Sequence, residues 1–454
     1  MKIKAYLSNN PVGRAHQAAR TCYFSGSVEL DPNLKHSAIA DDCIKSKHLS
    51  VHQHTYVTLE IEAISRFFCS AVLYSQPYYQ ASQQSLRYVK LDSILGSSDE
   101  NNPIKHDNLD AYNTAFELFS QPVADAYAKI WKSKANTPEG KLEIRRGTQE
   151  LARYTLPIGT LTNLTYTVDL VTLAQILAFC EAVGTKVQDK LHFFEWQQAR
   201  DFRNLVLDSI EERYSYNLIT SLIEKFKTEE TNPYIRDFKL TLAQNPLYIL
   251  LGDISSRVQV FHAEDNDYIS ANLTCSHAVF CQLQRHRSIK PKFSFNYSYV
   301  VEEYGTPNWY YLPTFRVISP VKSQELSEKF LAIIQNLYET VNKDRFKEVN
   351  PIAEFEKLPL CTAQNLSFHA TVSEVSSLAS KRLCLRAQNE ATRVILSLNE
   401  AYARAEEIDE NKLYFKAPCT YNAENDIKPI CPEGKRFCGV TVWKNPKKAY
   451  DNLI

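Results

Sequence analysis

The chain has 454 residues, of which 44% are apolar and 23% charged, and its 52 basic side chains balance 52 acidic ones. These figures exclude a disordered, collagenous or strongly cationic chain, and at about 100–200 residues per domain they predict two or three domains. Eleven Cys without a signal-peptide start predict reduced thiols in a cytoplasmic protein, and no run approaches the roughly 18–20 apolar residues that span a bilayer.

In chain order, His48, His52 and His54 come first. No nearby carboxylate or Cys completes a ligand set, so no metal is assigned there. Residues 55–62 alternate as a strand, and 64–73 have the apolar spacing of a buried helix. A polar loop then ends in Gln83, Gln84, Ser85, Leu86 and Arg87. Its hydroxyl, amides and guanidinium suit a monophosphate or a plain turn. Residues 152–160, then 167–169, lead into a long helical stretch, and 227–245 read as a linker.

The order then repeats. Residues 268–274 read as a strand and 276–285 as a helix. The helix ends at Arg285, His286 and Arg287, with Lys290 and Lys292 beyond. This densest basic cluster suits a phosphate or pyrophosphate clamp, or a solvated loop. Residues 356–362 and 371–373 precede a helix over about 375–406 whose Arg382, Arg386, Gln388, Glu390 and Arg393 are too polar for a core. The two echoes predict a duplicated α+β domain, residues 1–230 and 240–454.

Other chemistries find less support. Cys419, Cys431 and Cys438 lack paired C-x-x-C spacing, and either hold zinc with a fourth ligand or lie reduced beneath a loop. Cys281 and Cys384 sit near basic groups but in apolar helical settings that favour burial over nucleophilic work. Neither a phosphate-binding glycine loop nor a dinucleotide fingerprint is present. Phe293, Phe295, Tyr297 and Tyr299 beside the basic cluster have the make-up of an RNA-stacking platform, but a neutral chain with one basic cluster argues against a nucleic-acid partner.

The second copy's Gln282, Arg285, His286 and Arg287 resemble the opening of the flavin-dependent thymidylate synthase signature, R-H-R-x-x-S-x-N-E-x-S-x-R. The first copy's Ser85, Leu86, Arg87 and Tyr88 resemble its close. Arg153 stands in an A-R-x-x-L-P element, and Arg382, Ala387, Gln388, Glu390 and Arg393 match R-x-x-x-x-A-Q-x-E-x-x-R. The resemblance implies two tandem copies of that family's α+β domain, an antiparallel sheet with packed helices, with one nucleotide pocket split between them. It implies that Gln83, Gln84, Ser85, Leu86, Arg87, Arg153, Gln282 and Arg285 hold dUMP and that Arg382 activates the uracil ring. Ser50, Gln53, Arg285, His286 and Arg287 would contact FAD, with NADPH and methylenetetrahydrofolate as co-substrates and a homodimer forming a pseudo-tetramer. Two departures, no Arg in the N-x-R element at Asp169–Val171 or Ser373–Val375 and Gln83 in place of a Glu, leave a nucleotide-binding or regulatory protein as the alternative.

Overall fold

The computed structural model describes residues 1–22, 24–89, 106–184, 187–188, 193–194, 196–228, 230–232, 234–235, 259–262, 268–286, 289, 292–293, 319–339, 355–409 and 412–450. The first half runs β1 (Lys2–Leu7), α1 (Pro11–Thr21), α2 (Ala38–Lys45), β2 (Tyr56–Ser65), α3 (Arg66–Phe68), β3 (Gln80–Gln83), α4 (His106–Trp131), α5 (Pro138–Ala152), β4 (Leu161–Asp169) and α6 (Leu170–Gly184). A small ladder of β5 (Val187–Gln188) and β6 (Phe193–Phe194) precedes α7 (Gln197–Asp208) and α8 (Arg213–Lys225). The second half runs β7 (Gln259–His262), β8 (Tyr268–Ser276), α9 (His277–Gln284), β9 (Lys292–Phe293), α10 (Pro320–Glu339), β10 (Ala363–Thr371), α11 (Val372–Arg382), α12 (Asn389–Ala405) and α13 (Pro418–Glu424).

Each half carries a four-stranded antiparallel sheet of the same order, β1-β2-β4-β3 and β7-β8-β10-β9. In β2 the predicted alternation turns Val57, Leu59 and Ile61 into the core, where one face of an antiparallel sheet is covered. A register shift between Ile61 and Ile64, with Ala63 at φ +56°, bends the strand end. Ser65 Oγ then accepts the Phe67 and Phe68 amides and starts α3, which continues as a π-turn over Cys69–Leu73. The hydrophobic helix α6 is buried on nearly every side.

The halves meet about a local two-fold. Pro157 and Pro359 form an antiparallel bridge. Around it Ile158 N donates to Leu358 O (2.7 Å) and Leu360 N to Leu156 O (2.8 Å), while Gly159 N donates to Glu356 O and Cys361 N to Tyr154 O. This symmetry pairs positions between copies. Arg153 O and Phe355 O accept the equivalent amides of Leu156 and Leu358, and the Arg66 and His277 amides donate to Thr160 O and Thr362 O. Strand register pairs Asp169 with Thr371 and Gln83 with Phe293. Helices α4 and α10 pack across the same axis, Phe119 on Phe330 at 5.3 Å, so one apolar cluster spans both halves beside a second that lies within the second half.

The helix predicted over 375–406 is two helices. It holds no Pro or Gly, so its periodicity carried no stop signal. Tertiary partners interrupt it: the Thr392 hydroxyl takes Arg382 O (2.8 Å), and Arg87 of the first half takes Arg386 O (3.1 Å). Residues 412–450 wrap back over this turn, with Tyr450 Oη donating to Leu383 O and Trp131 Nε1 to Cys438 O. Among the described residues no helix is long and apolar enough to cross a membrane.

Candidate functional site

The first half supplies one wall. Gln84 N continues the β3–β4 ladder to Asn163 O, and the Ser85 hydroxyl accepts Arg87 N at 3.2 Å, while buried Leu86 pins the turn in the core. The turn aims the Arg87 guanidinium at Glu150, Nε to Oε2 2.6 Å, and that carboxylate holds the guanidinium above its ordinary value. Arg153, at the end of α5, is buried. Burial, helped by nearby Arg87, lowers its pKa. Arg66 is half-buried with its Nε buried, and it is pushed down to about 10, chiefly by desolvation and with like-charged Arg153 beside it.

The second half supplies the other. Arg382 donates to Gln282 O (2.9 Å) and Gln282 Oε1 (3.4 Å). The Gln388 carboxamide joins the walls: its oxygen accepts from Arg153 and from Gln282, and its nitrogen donates to Tyr154 Oη. Tyr154 donates in turn to Glu390, which also accepts from Ser276 N and Oγ. Arg382 is pushed to about 10 by burial and by Arg87 and Arg285, one from each half. Arg285 lies over the Tyr74 ring at 5.9 Å, and Ser70 and Gln284 exchange hydrogen bonds beneath it. A cavity between the halves opens beside Arg87, lined also by Glu150, Arg146, Trp131 and Arg386.

Five guanidiniums thus meet where few carboxylates answer them. Arg153 is buried, Arg66, Arg87 and Arg382 are half-buried and Arg285 is exposed, and such a cluster favours an incoming anion. His286 is held near a pKa of about 3 by burial and by Arg382, Lys381 and Arg285, so it is neutral, and its Nε2 has no partner among the described residues.

The equivalent locus in the other half is apolar. Phe355 replaces Arg153, and His277 replaces Arg66. Trp196 caps α7 as Gln388 caps α12, and Cys180 stands as far past Asp169 as Arg382 past Thr371. Phe67 packs on Phe355 (5.1 Å) and Trp196 (5.5 Å), and Phe68 on Trp196 (5.2 Å). His277 is pushed down to about 3 by burial alone, hence neutral.

Of the residues expected to act together, Ser85, Arg87, Arg153, Gln282, Arg285, Arg382 and Gln388 converge, with Gln83 and Gln84 at the rim. Arg287 lies outside the described residues, as do Phe295, Tyr297, Tyr299 and residues 236–245 of the linker. Ser50 and Gln53 do not join the cluster within the chain. Both are exposed on the turn Leu49–His54 before β2, whereas Arg66 follows its far end, and ten residues at about 3.3 Å each make that strand roughly 30 Å long. His52 is buried with Nε2 on Ala40 O, its pKa lowered by burial. Burial, with the other thiols nearby, raises the pKa of Cys384, Cys419 and Cys438, so these thiols stay neutral. Among the described residues no His, Cys or carboxylate group is arranged to hold a metal ion. Half-buried Cys281 has a pKa raised by desolvation and makes a poor nucleophile. Sequence reasoning missed Arg66, Glu150 and Tyr154. The signal for Arg66 was a lone Arg inside an apolar run.

The sequence model of the thymidylate synthase complementing proteins (Thy1) matches residues 5–182 and 266–405. The chain belongs to this family, the flavin-dependent thymidylate synthases. The two matched segments correspond to the two sheets, a tandem form of the family's domain. No curated protein matches the chain. Among solved structures, it is similar to thymidylate synthase X from Helicobacter pylori with FAD and dUMP: 16% identity, 49% of this chain, 100% of that one and a TM-score of 0.30. It is also similar to the UMP/dUMP methylase PolB from Streptomyces cacaoi bound with 5-Br dUMP: 14% identity, 48% of this chain, 94% of that one and a TM-score of 0.28. At these scores the family assignment rests on the sequence match.

Proposed function

We propose that this chain is an FAD-dependent thymidylate synthase that converts dUMP to dTMP, with methylenetetrahydrofolate as one-carbon donor and NADPH as reductant, at one nucleotide site per chain. The observation that carries the reading is the single polar network in which Arg87 and Arg153 of the first copy meet Gln282, Arg382 and Gln388 of the second. Gln83, Gln84, Ser85, Arg87 and Arg153 bind the phosphate and sugar, with Gln282 and Arg285 closing from the opposite wall. Leu86 positions the turn. Arg382 stabilises negative charge developing on the uracil carbonyl edge, a preorganised dipole and charge that needs no reorganisation during reaction. The copies divide at about residues 230–240.

The exposed Arg285 guanidinium and the neutral, unpartnered Nε2 of His286 fit an anionic, hydrogen-bonding cofactor. FAD, when bound, supplies the one-carbon and redox chemistry. Arg287 belongs to the same set. Ser50 and Gln53 reach that cofactor only from a second chain, which supports a homodimer of four lobes.

A second reading, nucleotide binding without redox chemistry, is favoured by one feature. Neither Asp169–Val171 nor the register-equivalent 371–373 carries an Arg, and Val171 is buried instead. Flavin absorbance of the purified protein, dUMP titration and a dTMP assay decide between them. The synthase reading expects a flavoprotein that binds one dUMP per chain and forms dTMP. A folded, colourless chain that binds dUMP without turnover selects the second reading, and absence of dUMP binding overturns both. Mixing Arg87→Ala with Arg285→Ala chains is expected to restore nothing, because both walls belong to one chain.

A further inference from the structure

Arg66 lies outside every motif that singled out the site, yet it is half-buried and its Nε is fully shielded from solvent. It follows the bulged end of β2, where Ser65 opens α3. Its terminal nitrogen donates to Gln84 O at 2.6 Å, the carbonyl just before Ser85, so the guanidinium stands behind the phosphate-binding turn. Its Nε is buried and has no partner among the described residues. Among the described residues no carboxylate pairs with it, whereas Arg87, Arg203 and Arg386 pair with Glu150, Glu181 and Glu143. Its charged neighbour is the buried cation Arg153.

A half-buried cation whose Nε is shut off from water without a partner is costly, and one partner carbonyl does not neutralise it. The fold has no need of a charge at this point, since the equivalent residue of the second copy is His277, buried and neutral. A charge kept only in the copy whose wall faces the polar network requires an anion that arrives from outside. Resting on the nucleotide-site reading above, we infer that Arg66 is a phosphate-binding residue, the innermost guanidinium of an anion pocket shared with Ser85, Arg87 and Arg153. Uracil and deoxyribose carry no charge at neutral pH, so the phosphate is the one group of dUMP that compensates it.

The rival role is a strut that ties the end of β2 to the Gln84 carbonyl. Arg66→Met and Arg66→Lys separate the two in the full-length protein, with dUMP, deoxyuridine and inorganic phosphate as probes in calorimetric titration and thermal melting. Phosphate recognition expects Arg66→Met to weaken dUMP about 10- to 100-fold, the range of a charge-assisted hydrogen bond. Deoxyuridine binding should be unchanged, and the ligand-free protein should melt no lower than the parent, because an unpaired buried charge has gone. Arg66→Lys should keep part of the dUMP affinity, and it provides the reading if the Met variant does not fold. Equal weakening of dUMP and deoxyuridine with a lowered melting temperature overturns the inference in favour of the strut. Unchanged dUMP binding in both variants overturns it while leaving the nucleotide site standing. A parent protein that ignores dUMP but is stabilised by phosphate through Arg66 supports the anion pocket and removes dUMP as its ligand.

Discussion

The two loci related by the local two-fold share a backbone and differ in side-chain chemistry. Arg153, Arg66, Gln388 and Arg382 at one correspond to Phe355, His277, Trp196 and Cys180 at the other. The aromatic locus is core: each fully buried Phe contributes about 1.5–3 kcal/mol relative to exposure, and its rings pack at 5.1–5.5 Å. The polar locus sets buried Arg153 and half-buried Arg66 and Arg382 close to one another, which works against stability until an anion enters. Duplication thus separates two demands that a single domain must meet at one position. One copy of the pocket is free to hold the halves together, and the other holds the polar network.

The comparison breaks most directly at Phe355. Phe355→Arg copies the first half's guanidinium into a locus with no anion, and it is expected to lose about 5 kcal/mol or more in urea unfolding, or not to fold. A variant as stable as the parent would show that the aromatic locus is not core. At the polar locus the expected cost falls on function instead. Arg87→Ala and Arg285→Ala should each lower kcat/KM for dUMP about 100-fold, the loss of one or two charge-assisted contacts; melting should stay near the parent's for exposed Arg285 and fall for Arg87, whose removal leaves Glu150 and Arg386 O without that partner.

Glu356 sharpens the contrast through pH. It hydrogen-bonds Ser65 beside the aromatic locus, and burial pushes its carboxyl up to about 7 from 4.5. Between those values the folded chain holds a proton that the unfolded chain has lost. Stability therefore falls as pH rises from about 4.5 to about 7, by up to about 3 kcal/mol, and is flat above. Glu356→Gln should abolish that slope and be the more stable form at pH 8, and a slope retained in the variant assigns it to another group. The smallest effect tests the equivalence itself. Thr371, in a capping box with Glu374, and Asp169, bonded to Thr172, cap matching helices. Thr371→Ala and Asp169→Ala should each cost about 1 kcal/mol in chemical unfolding. Very unequal costs would break the pairing.

Much of this was legible in the chain. The strand alternation of residues 55–62 and 268–274, the repeated strand-helix-loop order and the partition of Arg87, Arg153, Arg285 and Arg382 between copies are local patterns, and local patterns survive in a linear reading. The break at residues 383–388 was not legible, because carbonyls taken by Thr392 and Arg87 ended a helix that propensity would have continued. Nor was the distance of Ser50 and Gln53 from Arg285. Both lie in motifs of the right type, but β2 separates them.

The sequence by itself determined which elements form, that they form twice, and which copy carries each charged group, since periodicity and residue type are properties of the chain. Only the tertiary structure decided that the two retained walls face each other within one polypeptide, that the matching walls close into an aromatic core, and that the Arg66 Nε is buried without a partner among the described residues. Those outcomes depend on desolvation and on contacts between residues more than 200 positions apart, and neither quantity is written in local order along the chain.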